Sequence, residues 1–190
     1  PMSYKRLFSV GNRRIDVNIE DYSDCESYVC GIVEGIKVEK SPSWLIDRLK
    51  SVGQKSVNNI VDISNYIMLE TGQPTHIFDY SKINGETISI RRANNGETFL
   101  GLDEKEYNLD KESLIISDEK SPIALAGVIG GFETGVNKNT DTIFIESAFF
   151  NPITIRKGSK KNQISTDASK RFERGTDPLI CRDISVSYTH

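Results

Sequence analysis

Residues 142–150, TIFIESAFF, are apolar on both faces of an alternating strand, and a strand of that kind is stable only where something covers each side of it. Alternation places Glu146 on the side of Thr142 and Phe144. A carboxylate in such a run must find donors or be reached by water, since burying an unpaired polar group costs about 1–3 kcal/mol. Two readings of Glu146 stay open at this point. It is a strand-end glutamate bonded to backbone amides or an arginine, or it is an acceptor for the hydroxyl of a ligand.

Neighbouring segments supply the rest of a sheet system. Residues 13–20 (RRIDVNIE) and 27–38 (SYVCGIVEGIKV) alternate apolar and polar positions as half-buried strands do. From Thr87 onward TISIRR, ETFLGL, KEYNL and SLIIS form a meander, punctuated by the turn formers Asn94-Asn95-Gly96, Asp103-Glu104-Lys105 and Asp118-Glu119-Lys120. The segment from Pro122 to Gly135 carries Ala124, Ala126, Gly127, Gly130 and Gly131, so its backbone can approach another backbone or a ligand closely. It has neither Gly-x-Gly-x-x-Gly nor a following Gly-Lys-Ser/Thr, which argues against a phosphate loop.

Four helices interrupt the strands. Ser41 as cap and Pro42 at the first helical position predict one that turns Trp44, Leu45 and Leu49 inward and stops at Gly53. A second begins near Val57 and ends at Gly72-Gln73-Pro74. Steps of 100° put Val57, Ile60, Val61, Ile67 and Met68 in one stripe, with Ser64 in its middle and Asn65 at its edge. A hydroxyl and an amide therefore point inward, just before the only internal histidine, His76. Asn151-Pro152 opens a third helix, and STDASKRFERGTDP, residues 165–178, reads as a fourth that closes at Gly175.

Composition narrows the class. With 190 residues, 37% hydrophobic and 27% charged, the chain fits an ordinary soluble globular protein with no run apolar enough to span a membrane. Cys25, Cys30 and Cys181 lack metal-ligand spacing, no charged-then-apolar leader precedes them, and a reducing, cytoplasmic setting is expected. The patterned segment Leu179 to Tyr188 runs up to the last residues, so the chain reads as a piece of something longer. Net charge is −3, yet Arg156, Lys157, Lys160, Lys161, Lys170, Arg171 and Arg174 outnumber Asp167 and Glu173 by five within one stretch. That edge is a solvated helix surface or a contact for an anionic partner such as nucleic acid. One internal histidine cannot build a zinc site, and no serine sits in Gly-x-Ser-x-Gly.

Four ordered runs carry a resemblance: NNIVDISNYIMLETGQPTHIFD, PIALAGVIGG, IESAFF followed by NPITIRK, and STDASKRFERGTDP. Together they resemble the B3/B4 editing module of the bacterial phenylalanyl-tRNA synthetase beta subunit, strongly from about Ser41 to Pro178 and over residues 1–40 only in general strand pattern. The resemblance implies an α+β fold: a mixed three-layer, sandwich-like module with central antiparallel sheets flanked by helices. It also implies one intertwined unit over residues 1–190, cut from a longer beta subunit.

The implied activity is hydrolytic proofreading of tRNA(Phe) mischarged with tyrosine, by metal-independent water attack on the aminoacyl ester. A pocket for phenylalanine cannot strongly reject an isostere with one more hydroxyl, whereas a site that hydrogen-bonds that hydroxyl discriminates by roughly 10⁴–10⁵. The family pattern puts that hydroxyl reader on Glu146. His76 matches the histidine after the Gly-Gln-Pro turn, placed to orient water or the terminal adenosine beside the ester. Ser64 and Asn65 match a pair lining the pocket, with serine in place of the commoner threonine. Gly127 matches a glycine that leaves room for the aromatic ring, and Ala168 a small residue of the wall. Thr166 lies nearby, as wall or merely as a helix cap. The synthetase alpha subunit is the implied partner, while ATP and magnesium belong to the synthetic site elsewhere, so no cofactor or metal is expected in this module. A free-standing deacylase of the same fold and a non-catalytic tRNA-binding domain are the alternatives.

Overall fold

A computed structural model describes residues 12–181 and the backbone of residues 4–10; most of the Leu179–Tyr188 segment lies outside the described residues. The strands are β1 (Tyr4–Val10), β2 (Asp16–Ile19), β3 (Cys25–Glu34), β4 (Thr75–Asp79), β5 (Thr87–Arg92), β6 (Thr98–Leu100), β7 (Glu106–Asn108), β8 (Leu114–Ser117), β9 (Pro122–Leu125), β10 (Ile129–Gly130) and β11 (Thr142–Phe150). The helices are α1 (Ser43–Ser51), α2 (Asn59–Thr71), α3 (Pro152–Asn162) and α4 (Asp167–Phe172). The mixed α+β class with antiparallel sheets and helices is as expected.

One sheet runs β1-β3-β11-β4 and a second β10-β9-β8-β5-β2, beside the hairpin β6-β7. Most pairs are antiparallel, but the sheet-edge pairs β1 with β3 and β2 with β5 are parallel, which alternation alone could not reveal. Strand β11 lies between β3 and β4 and alternates between two apolar environments. Ile143 and Ile145 pack with Ile60 of α2 and Ile77 of β4. Phe144, Ala148 and Phe150 join Tyr28, Ile32 and Phe78 against Ile88, Ile90, Ile116 and Leu125 of the second sheet. Helix, sheet and sheet thus form the three layers, and each fully buried Phe or Ile contributes roughly 1.5–3 kcal/mol. Ile155 and Phe172 bring α3 and α4 onto the same core.

Helix ends follow their caps. Asn58 accepts from Val61 N and Gly72 ends α2 in the left-handed region, while Asn151 caps α3 with Pro152 in its first turn. The start of α1 differs from expectation. Pro42 occupies the cap position without a side-chain hydrogen bond, and the Ser41 hydroxyl instead donates to Asp62 Oδ2 at 2.5 Å. Leu45 and Leu49 are buried as read, but Trp44 is 55% exposed, edge-on to Tyr66, so it is not part of the inward face. Val57 precedes α2 and is 66% exposed, outside the apolar stripe.

Asp62 explains why. Its buried carboxylate also accepts from Ser56 Oγ at 2.5 Å and Val57 N at 2.8 Å, folding the α1–α2 connection over the helix start. Asp62→Ala leaves three donors without their acceptor and should lower stability by about 2–4 kcal/mol in urea denaturation, with Asp62→Asn costing less.

Candidate functional site

The pairing of β4 with β11 sets Glu146 opposite His76 and Phe144 opposite Phe78. Side chains directly opposite stand about 4.5–5.5 Å apart at Cβ, so His76 and Glu146 are neighbours on the face that looks toward the second sheet. Among the described strands β4 is the last of its sheet, and space opens beside it. A cavity of about 430 Å³ occupies that space, lined by His76 and by Ile77, which point to opposite sides of β4.

Every residue singled out in the sequence lines this one cavity: Ser64, Asn65, His76, Gly127, Glu146, Thr166 and Ala168. Helix α2 brings the first two, β4 and β11 the next pair of opposed side chains, the turn after β9 Gly127, and the start of α4 the last two. Most of the remaining wall is apolar, including Val61, Met68, Ile129 and Phe172. A volume of this size, apolar with a few convergent polar groups, suits a small organic group.

Polar groups around the cavity fall into two sets. Ser64 Oγ donates to Thr75 O at 3.1 Å and lies 2.9 Å from Thr75 Oγ1. Thr166 Oγ1 donates to Val128 O at 2.8 Å and accepts from Ser169 N at 3.0 Å, so it does serve as the helix cap while forming part of the wall. Asn65 and His76 have no hydrogen-bond partner among the described residues. The Glu146 carboxyl, in a residue 4% exposed, is bonded among the described residues to neither amides nor an arginine; there it accepts only from the Tyr28 hydroxyl, at 3.2 Å.

Desolvation dominates the electrostatics. Burial pushes the Glu146 carboxyl up to about 8, with the Tyr28 hydrogen bond opposing it. Burial likewise pushes the His76 imidazole down to about 4. Burial thus biases each group toward its uncharged form.

His76 lies in β4, directly after the turn at Gly72-Gln73-Pro74, and its ring is edge-on to Phe78 with centroids 4.4 Å apart. A Cβ at Gly130 would fall 2.2 Å from its Cε1 and Nε2, so glycine there is what lets the imidazole lie against the β10 backbone. Gly127 has φ +65°, and a Cβ would press on Ile155, Phe172 and Phe150 at 3.0–3.1 Å, so packing and backbone both require it. Sequence reasoning missed Tyr28 as a member of the site. Its place in an alternating run marked its face, but no local signal says which side chain stands across from it. Among the described residues no cluster of three or more His, Cys, Asp and Glu could hold a metal, and no helix is long and apolar enough to cross a membrane.

By geometry this is an α+β domain with two main sheets beside a mostly apolar cavity. Residues 24–186 match the model of the B3/4 domain, and the chain belongs to that family. It is 48% identical to the phenylalanine–tRNA ligase beta subunit of Protochlamydia amoebophila over 175 residues, 92% of this chain and 22% of that protein. With the beta subunit of Aquifex aeolicus it shares 48% over 161 residues, 85% of the chain and 20% of the relative. The chain thus spans about a fifth of the length of these relatives, which are ligase subunits. Its fold is also similar to an N-terminal fragment of the phenylalanyl-tRNA synthetase beta subunit from Pyrococcus horikoshii, with TM-score 0.55, 16% identity, and 81% of this chain and 50% of that one covered.

The two shifted groups predict a characteristic pH response. Glu146, raised from 4.5 to about 8, gives stability that is complete below pH 4.5 and lost as pH rises through 8. His76, lowered from 6.5 to about 4, gives stability that is complete above pH 6.5 and lost as pH falls through 4. Their contributions oppose each other between 4.5 and 6.5, and Glu146 acts alone above that. Wild type should lose about 2 kcal/mol relative to Glu146→Gln between roughly pH 6.5 and 8, measured by urea denaturation at stepped pH.

Proposed function

We propose that the chain is the editing module of a phenylalanine–tRNA ligase beta subunit and hydrolyses tyrosine wrongly attached to tRNA(Phe). The observation that carries this reading is the convergence of seven residues, far apart in sequence, on one mostly apolar cavity whose depth holds the buried carboxyl of Glu146. In this reading the tyrosyl ring enters the apolar space and its phenolic hydroxyl bonds to Glu146. Phenylalanine leaves that carboxyl without a ligand partner, and the difference gives selectivity for tyrosine. Ser64, Asn65, Gly127, Thr166 and Ala168 shape the wall, and His76 lies beside the ester.

The chemistry needs little beyond placement. Water adds through its oxygen to the ester carbonyl carbon, the bond from that carbon to the ribose oxygen breaks, and the ribose oxygen takes up a proton released by the water. Tyrosine and uncharged tRNA leave. An aminoacyl ester is already activated, so holding water in line and stabilising the developing oxyanion supply the acceleration without metal or covalent nucleophile. A neutral His76 can accept a hydrogen bond from that water and orient it. ATP and magnesium serve the synthetic site, outside this module, and the alpha subunit and tRNA(Phe) are the partners of the whole cytoplasmic enzyme.

The test is Glu146→Ala in the full-length beta subunit assembled with its alpha subunit. Phenylalanylation should be retained, while clearance of tyrosyl-tRNA(Phe) should fall by roughly 100-fold or more. Clearance at the wild-type rate would remove Glu146 from the role assigned to it.

A further inference from the structure

We propose that Tyr28 is a positioning residue for Glu146: its buried hydroxyl fixes which carboxyl oxygen faces the cavity and so sets how sharply the site separates a phenol from a phenyl ring. This rests on the reading of Glu146 as the hydroxyl reader.

Tyr28 is fully buried and does not line the cavity. It pairs with Ala148 across β3 and β11, which makes it a diagonal neighbour of Glu146 on the same face of the sheet. Diagonal neighbours lie about 7–8 Å apart, within reach of an aromatic side chain, and the Tyr28 hydroxyl reaches Oε2 at 3.2 Å. Oε2 is thereby engaged from behind. Oε1 has no partner among the described residues and is not sealed from the cavity, so it is the oxygen left for a ligand. Burial beside Glu146 holds the Tyr28 phenol well above its ordinary range, which keeps it a donor at every working pH.

The consequence for selectivity follows from what the carboxyl would do alone. A terminal carboxyl torsion is broad and nearly two-fold, so without a second bond the two oxygens exchange places and the depth of the acceptor blurs. The hydrogen bond from Tyr28 also opposes burial at Glu146, holding its carboxyl below where burial alone would put it. Losing it should move the ionisation of that carboxyl further up. A residue that only filled space would affect neither property.

Tyr28→Phe keeps the ring and removes the hydroxyl. In the full-length ligase the ratio of tyrosyl-tRNA to phenylalanyl-tRNA hydrolysis should fall about tenfold, and in a Glu146→Gln background the same substitution should add nothing. Carbon-13 NMR of labelled glutamate in this chain should show the Glu146 titration displaced upward in Tyr28→Phe and downward when 3-fluorotyrosine, a stronger donor of the same shape, occupies position 28. If Tyr28→Phe leaves the ratio and the titration at wild-type values while Glu146→Ala abolishes selectivity, the positioning role is wrong and the reading of Glu146 stands. If Glu146→Ala leaves clearance unchanged, both fall.

Discussion

Strand β11 is the constraint on which the other elements depend. It is hydrogen-bonded on both edges, to β3 and β4, and covered on both faces, by α2 and by the second sheet. Pairing on two sides fixes its register, and a slip of one residue would turn Glu146 toward Ile60 and Ile77 and bring Ile145 into the cavity. Register at β11 therefore decides whether there is a site at all. The apolar alternation that makes the strand stable also imposes the burial that perturbs its one carboxyl.

That burial sets the electrical character of the site. In water a glutamate and a histidine side by side would tend toward an ion pair. Here desolvation pushes the two in opposite directions, the acid up to about 8 and the imidazole down to about 4, so each is driven to its uncharged form. A neutral carboxyl both donates and accepts, which suits a phenolic hydroxyl that does the same. It also costs less than a buried carboxylate to leave partly unpaired.

How much of this was legible in the sequence depended on the range of the interaction. β5 and β11 fall where alternation puts them, and Gly72, Asn151 and Thr166 mark helix ends because capping acts over three or four residues; the Asn58 cap, one residue past the expected start at Val57, was not read. Ser41 was misread because an equally good local cap was outbid by Asp62, twenty-one positions away. Trp44 follows the helical period of Leu45 and Leu49 well enough, but period alone does not tell how far the covering neighbour extends. Tyr28 and the parallel edges β1 and β2 are products of topology, on which an alternating pattern is silent. Periodicity picked out Ser64, Asn65 and Glu146 one by one, whereas their grouping with His76, Gly127, Thr166 and Ala168 into a single site came from resemblance to a family.

Hydrogen-bond saturation separates these cavity residues into structural and ligand-facing groups more sharply than proximity does. Asp62, also on α2, is satisfied by three donors and does not line the cavity. Ser64 is engaged by Thr75, and Thr166 both donates and accepts within the fold, so neither hydroxyl can donate to a ligand without giving up a bond already made. Their contribution is shape. Asn65, His76 and Oε1 of Glu146 are the polar groups along the wall that the described fold leaves unpaired, and an unpaired group shielded from bulk water gains from a ligand that completes it. They stand on α2, β4 and β11, three elements that meet at the β4 end of the first sheet. A ligand bonded to all three is held at separate points, which orients it as well as retaining it.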